Sequence, residues 1–289
     1  MICEIIKINH RIEFMRKTTS LHADTDMTRE DKLNRLSIPS IIRQSAKEWR
    51  LPLWQIFALI LLPFAILTSG VALALISKDA YKLFTREDGI AETIQAVAYV
   101  VALVLSVIMT VRLFKRKENL PALLYVGLCL GLLFMAGEEL NWGQRAFGWH
   151  TPDTYAEINK QAETNLHNIY GVGSTFKWLQ MVVGAYGTFL PIFFFWTPLL
   201  DKYRQLFKYI TPHYVLIPYF VFLFGWRLFR NLFEVPRRYY FAVAEFNEVL
   251  ELILALGILL FLLHTLTLGL HHGHKSNLGP RGGRTTQHT

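Results

Sequence analysis

The sequence predicts an all-α, polytopic membrane protein of about six transmembrane helices, with an interfacial helix in the long loop between the third and fourth. Three observations predict it. Apolar stretches of the roughly 20 residues a helix needs to cross hydrocarbon recur along the chain. Basic residues collect between alternate stretches, and acidic, His and Arg residues gather where the stretches end on the other side. Composition agrees: 52% of the 289 residues are apolar and 14% aromatic, and the mean hydropathy is +0.28. Backbone in lipid must satisfy its own peptide groups, so such runs become helices rather than open sheet.

Residues 1–52 are polar and mixed in charge. The first fifteen carry Glu4, Lys7, Arg11 and Glu13, which interrupt any secretory h-region. Ser40 to Arg50 predicts a short amphipathic helix on the cytoplasmic surface, with Trp49 and Trp54 at the interface. The expected spans are 53–77, 90–114, 120–140, 176–200, 213–229 and 245–270, the fifth interrupted by Pro218. Residues 271–289 form a His- and Gly-rich tail whose histidines are adventitious metal binders at most. Between spans three and four lies the longest connection, Asn141 to Thr175, and a loop of that length is usually functional. Within it Thr151-Pro152-Asp153 has the form of a helix start, predicting a helix from Thr154 to Ile169 that carries Glu163 and His167 one turn apart. Gly127-x3-Gly131 and Gly184-x2-Gly187 predict close helix approach.

Arg43, Lys47 and Arg50, then Arg112 to Lys117, then Lys202, Arg204 and Lys208, then Lys275, Arg281 and Arg284 fall on one side if the chain crosses six times. That is the positive-inside pattern of a bacterial inner-membrane protein with both termini cytoplasmic. It accounts for the formal charge of +8 without nucleic acid. No phosphate-binding glycine loop is present, which gives nucleotide use no support. Cys3 and Cys129 lie in the tail and in the third span, which suits neither a disulfide framework nor a cysteine metal site.

Span parity brings the remaining charges to one depth. Asp88 and Glu92 open span two, Glu138 and Glu139 close span three ahead of Arg145, and Arg227 and Arg230 end span five. Glu245, Glu248 and Glu251 begin span six at successive i+3 steps. Ionisable groups at the edge of a hydrocarbon slab are costly, so they mark a functional site by default. Glu139, Glu163, His167 and Glu248 form a candidate ligand set for a divalent ion such as Zn, Mn or Fe, with Glu138 as base and Arg145 or Arg227 stabilising an anion. The competing structural reading has the same arginines neutralising the acids and pinning helix ends together. On the first reading the protein is a metal-dependent hydrolase or transferase acting on a lipid or lipid-linked substrate. An ion- or proton-coupled transporter and a non-catalytic scaffold or assembly factor are the alternatives.

Glu-Glu-x-x-Trp-Gly-Gln-Arg at 138–145, Glu-Thr-x-Leu-His-Asn at 163–168 and Glu-Asp-Gly-x-x-Glu at 87–92 resemble a group of uncharacterised bacterial multi-pass membrane proteins. The likeness covers about residues 86–255 and implies a multi-pass fold without implying an activity. The paired acids are more loosely similar to those of intramembrane CAAX-type proteases. Arg145 follows them later than that family's spacing has it, and no second His motif with an Asn or Asp partner is visible.

Overall fold

Among the described residues, five helical stretches are long and apolar enough to cross a membrane: Leu53–Ile76, Lys78–Lys115, Asn119–Glu139, Leu206–Leu232 and Glu245–Thr267, of which the second and fourth contain more than one helix. They belong to a computed structural model that describes residues 37–86, 89–159, 162–196, 204–236 and 240–276. In chain order the helices are α1 (Ile38–Trp49), α2 (Leu53–Ile76), α3 (Lys78–Thr85), α4 (Ile90–Lys115), α5 (Asn119–Glu139), α6 (Gln144–Phe147) and α7 (Asp153–Ala156). There follow α8 (Gly173–Trp196), α9 (Arg204–Ile210), α10 (Ile217–Leu232) and α11 (Tyr240–Ser276). Among the described residues there is no strand, only an isolated bridge between Asn159 and Ile169. The chain is an all-α polytopic membrane protein. The fourth expected span falls on α8, and its continuation over 197–200 lies outside the described residues. So do Asp88, the N-terminal residues to 36 and the tail beyond 276.

The chain divides into two compact units, Met1–Phe57 and Ala58–Thr289. In the first, a helix forms as α1 close to the expected bounds of Ser40 to Arg50. Pro39 stands in its first turn, where a missing N–H costs nothing, and Arg50 ends it in a left-handed conformation at φ 54°.

In the second unit α11 packs on α4 and α10, α4 on α5, and α8 on α10. The apolar window of α11 is 61% buried against 22% for that of α5, so α11 is the more enclosed of the two. Tyr99, Met109 and Leu113 of α4, Tyr219 and Leu223 of α10, and Leu250 and Ile253 of α11 fill the core. Pro218 occupies the first turn of α10 and so begins that helix instead of interrupting it. Gly184 and Gly187 meet the expectation of close approach: a Cβ on Gly187 would overlap the Phe220 ring. Gly127 and Gly131 do not, since a Cβ at either would meet nothing within 4 Å. Glycine spacing marks a face on which helices can approach closely, and here none of the described chain occupies that face.

Candidate functional site

The end of α5 sets the site. Asn141, Trp142 and Gly143 adopt left-handed conformations at φ 47°, 51° and 97°. Asn and Gly tolerate that region, whereas a bulky aromatic residue does not unless something else holds it. The Trp142 indole N–H donates to Glu138 Oε1 at 2.6 Å. Its ring lies so close over Gly137 that an added Cβ would sit 3.0 Å from Trp142 Cε3. The run Gly137 to Gly143 is therefore a helix stop that folds its tryptophan back on its own acid.

Glu138, 2% exposed, is the anchor of the following loop. Its Oε2 accepts the backbone N–H of Leu166 at 2.8 Å and of His167 at 2.9 Å, and lies 3.1 Å from His167 Nδ1. Around this point asparagines replace regular structure. Asn165 Nδ2 donates to Asn141 Oδ1 at 2.8 Å and to Glu163 Oε2 at 2.7 Å, and Asn159 Nδ2 donates to the Asn165 carbonyl at 2.8 Å. Gln144 Oε1 accepts from the backbone N–H of Thr164 at 2.9 Å. The helix expected over Thr154 to Ile169 is consequently confined to Asp153–Ala156, and Glu163 and His167 do not share a helix face. Side-chain amides that bond nearby backbone compete with the helical ladder, and here they prevail.

Opposite charges meet one layer further in. Arg227 of α10, 7% exposed, lies with its guanidinium 3.3 Å from Glu251 Oε1 and also donates to Gln180 of α8. Asn247 donates to the same Glu251 oxygen. Gln95 of α4, wholly buried, donates to the Glu248 carbonyl at 3.1 Å and approaches Glu248 Oε2 at 3.4 Å. Glu139, 7% exposed, is within electrostatic reach of Tyr99, as are Glu248 and Glu251. Helices α4, α5, α8, α10 and α11 thus all deliver polar groups to one end of the bundle.

His167 couples the two layers. Burial pulls its imidazole towards neutrality, but the hydrogen bond to Glu138 and the charges of Glu251, Glu138 and Glu163 outweigh this and hold it above the ordinary 6.5.

The expected site residues are therefore distributed as follows. Glu138 and His167 are joined directly, Arg227 pairs with Glu251, Glu248 faces Gln95, and Glu163 bonds Asn165. The backbone of Arg145 lies in α6, and its side chain is outside the described part of the structure. Among the described residues no three His, Cys, Asp or Glu side chains are grouped to hold a metal ion, so the set Glu139, Glu163, His167 and Glu248 does not fit a shared divalent ion. Glu138 already accepts four donors, which suits a positioning carboxylate better than a free base. Gln95 and Gln180, two lone amides in apolar runs, were legible as costly in lipid but carry no charge to draw attention. Asn141 and Asn165 had no signal beyond their place near the acids.

No family model, no curated protein and no solved structure matches this chain.

Proposed function

We propose that this protein is a membrane-embedded hydrolase or transferase acting on a lipid or lipid-linked substrate, with His167 as the acid–base group and Glu138 as the carboxylate that orients it. The observation that carries this reading is the Glu138–His167 pair at 3.1 Å, in which the acid is 2% exposed and the imidazole side chain 38% exposed. Facing a carboxylate, Nδ1 holds its proton, and Nε2 is left to exchange one with water or substrate. A pKa held above the ordinary 6.5 by the facing carboxylates favours that exchange. Arg145 is the group proposed to stabilise an anion. Arg227, committed to Glu251 and Gln180, holds the inner layer in place. A substrate that arrives within the bilayer accounts for a site at the end of the spans instead of in a soluble domain.

We place the protein in the bacterial inner membrane with both termini cytoplasmic, on the distribution of Lys and Arg. Reporter fusions after residues 52 and 276 check this, and a periplasmic signal from either overturns it.

The activity test uses the purified protein in mixed vesicles of phosphatidylethanolamine, phosphatidylglycerol and a polyprenyl diphosphate, with products read by mass spectrometry. Wild type is expected to turn over one of these lipids, and His167→Gln to lose about 10²–10⁴-fold of that rate. A wild type that changes none of them, or a His167→Gln variant that works equally well, overturns the reading.

A second reading rests on the same pair. The donors on Glu138 come from both sides of the loop, as a latch would require. A latch predicts that His167→Gln alters loop opening and no lipid.

A further inference from the structure

The end of the bundle away from the Glu138–His167 pair carries the opposite sign of charge. Helix α4 runs from Ile90 to Lys115 and α5 returns from Asn119, so their junction lies at the far end of both rods. Residues 112–118 hold four cations, Arg112, Lys115, Arg116 and Lys117, against the single acid Glu118.

Arg112 is still within α4, and its guanidinium Nη1 is buried with no hydrogen-bond partner. It stands between two stripes of the helix. Met109 and Leu113 are buried, whereas Val104, Ile108 and Val111 are exposed. A guanidinium keeps its charge at any ordinary pH, so the cost of burial is not relieved by losing a proton. At the margin of the hydrocarbon such a charge is expensive until an anion meets it. Arg116 follows one turn later, its backbone N–H bonded to the Arg112 carbonyl at 3.1 Å, so the two arginines share one side of the helix end. Helix α9 adds a third cation. Tyr125 of α5 donates to the Tyr209 carbonyl at 2.8 Å, which ties α9 to α5. The Tyr209 side chain is hydrogen-bonded with Glu118 and Arg116, and Lys208 lies within electrostatic reach of both. Glu118 is thus already shared between Tyr209 and Lys208.

We propose that Arg112 and Arg116, with Lys208 beside the latter, bind the phosphate of an anionic phospholipid of the phosphatidylglycerol or cardiolipin class. The charge is complementary, and guanidinium groups present forked donors that match phosphate oxygens. The occupant is a lipid and not a soluble anion because Val111 and Phe114, exposed next to Arg112 in the sequence, offer acyl-chain contact at the same depth. Basic pockets between spanning helices are a recurrent form of headgroup recognition. The site is distinct from the Glu138–His167 pair and does not depend on its role.

The test titrates the detergent-solubilised full chain with short-chain phosphatidylglycerol, phosphatidylcholine or inorganic phosphate and reads the thermal midpoint. A saturable rise is expected with phosphatidylglycerol and none with the other two. Arg112→Gln is expected to raise the half-saturating lipid concentration about fivefold, and Arg112→Gln with Arg116→Gln about twenty-fivefold. Lys115→Gln, at the same end but outside the pair, is expected to keep the wild-type curve. Native mass spectra of wild type, with one phosphatidylglycerol retained per chain and no phosphatidylcholine, give a second readout should a variant fail to fold. Equal responses to the two lipids, with neither retained selectively, overturn the proposal. So does a response that inorganic phosphate reproduces, which assigns the place to a soluble anion. A loss in Lys115→Gln equal to that in Arg112→Gln also overturns it, since diffuse surface charge then accounts for the binding.

Discussion

Glu138 and Glu248 are both acids at the same end of the bundle, and their surroundings differ in kind. Glu138 is saturated: an indole, two backbone N–H groups and an imidazole converge on its two oxygens. Among the described residues Glu248 has one side-chain donor, the Gln95 amide at 3.4 Å, and it shares its surroundings with Glu251, Glu92 and Glu245. A saturated carboxylate is part of the framework and can position a neighbour, whereas a sparsely bonded one among other acids keeps most of its acceptor capacity unused. Titratable residue type alone does not tell them apart. The supply of donors does.

The largest effect that would test this contrast is expected at the inner layer. Arg227→Met leaves the partly buried Glu251 without its counter-ion and should cost about 3–5 kcal/mol, read by denaturant unfolding in detergent. The double variant Arg227→Met, Glu251→Met should recover most of that loss, and an additive second loss would show that the pair is not the source. Next, Glu138→Gln keeps the shape but gives up charge-assisted bonds, for a loss of about 2–3 kcal/mol. Hydrogen exchange at the amides of Leu166 and His167 should accelerate with it; unchanged protection would break the account of Glu138 as an anchor. Glu248→Gln, which removes an acid held beside Glu251, Glu92 and Glu245, should have the opposite sign and leave the protein at least as stable as wild type.

Gly187→Ala provides a reference untouched by either acid. Its Cβ would press on the Phe220 ring between α8 and α10, with an expected cost of about 1–3 kcal/mol and no change in loop exchange. The smallest effect is that of pH. The folded protein holds the His167 pKa above 6.5, so the imidazolium contribution is complete below that value and is lost as pH rises through the folded pKa. The stability gap between wild type and His167→Gln should therefore narrow with increasing pH. A gap that widens instead would mean that the ring is neutral beside Glu138.

Much of the architecture is legible in the sequence. Expected spans at 90–114 and 120–140 coincide closely with Ile90–Lys115 and Asn119–Glu139, because apolar length and helical spanning are the same physical requirement in lipid. The gathering of acids at one end was legible too, since counting crossings places each helix end. The helix expected over Thr154–Ile169 stops at Ala156, because its start signal is genuine but Asn159 and Asn165 take over the backbone beyond it. Glycine spacing was half informative: Gly187 meets a partner and Gly131 meets none.

Sequence by itself thus determined which segments are rods, how long they are and at which end the charges collect, because those properties follow from local composition. Only tertiary structure decided which acid receives donors and which is left short. Hydrogen bonds reach a few ångströms and are directional, so a carboxylate's role depends on atoms brought from distant parts of the chain. The indole of Trp142 and the amides of Leu166 and His167 make Glu138 a fixture, whereas among the described residues only the Gln95 side chain donates to Glu248.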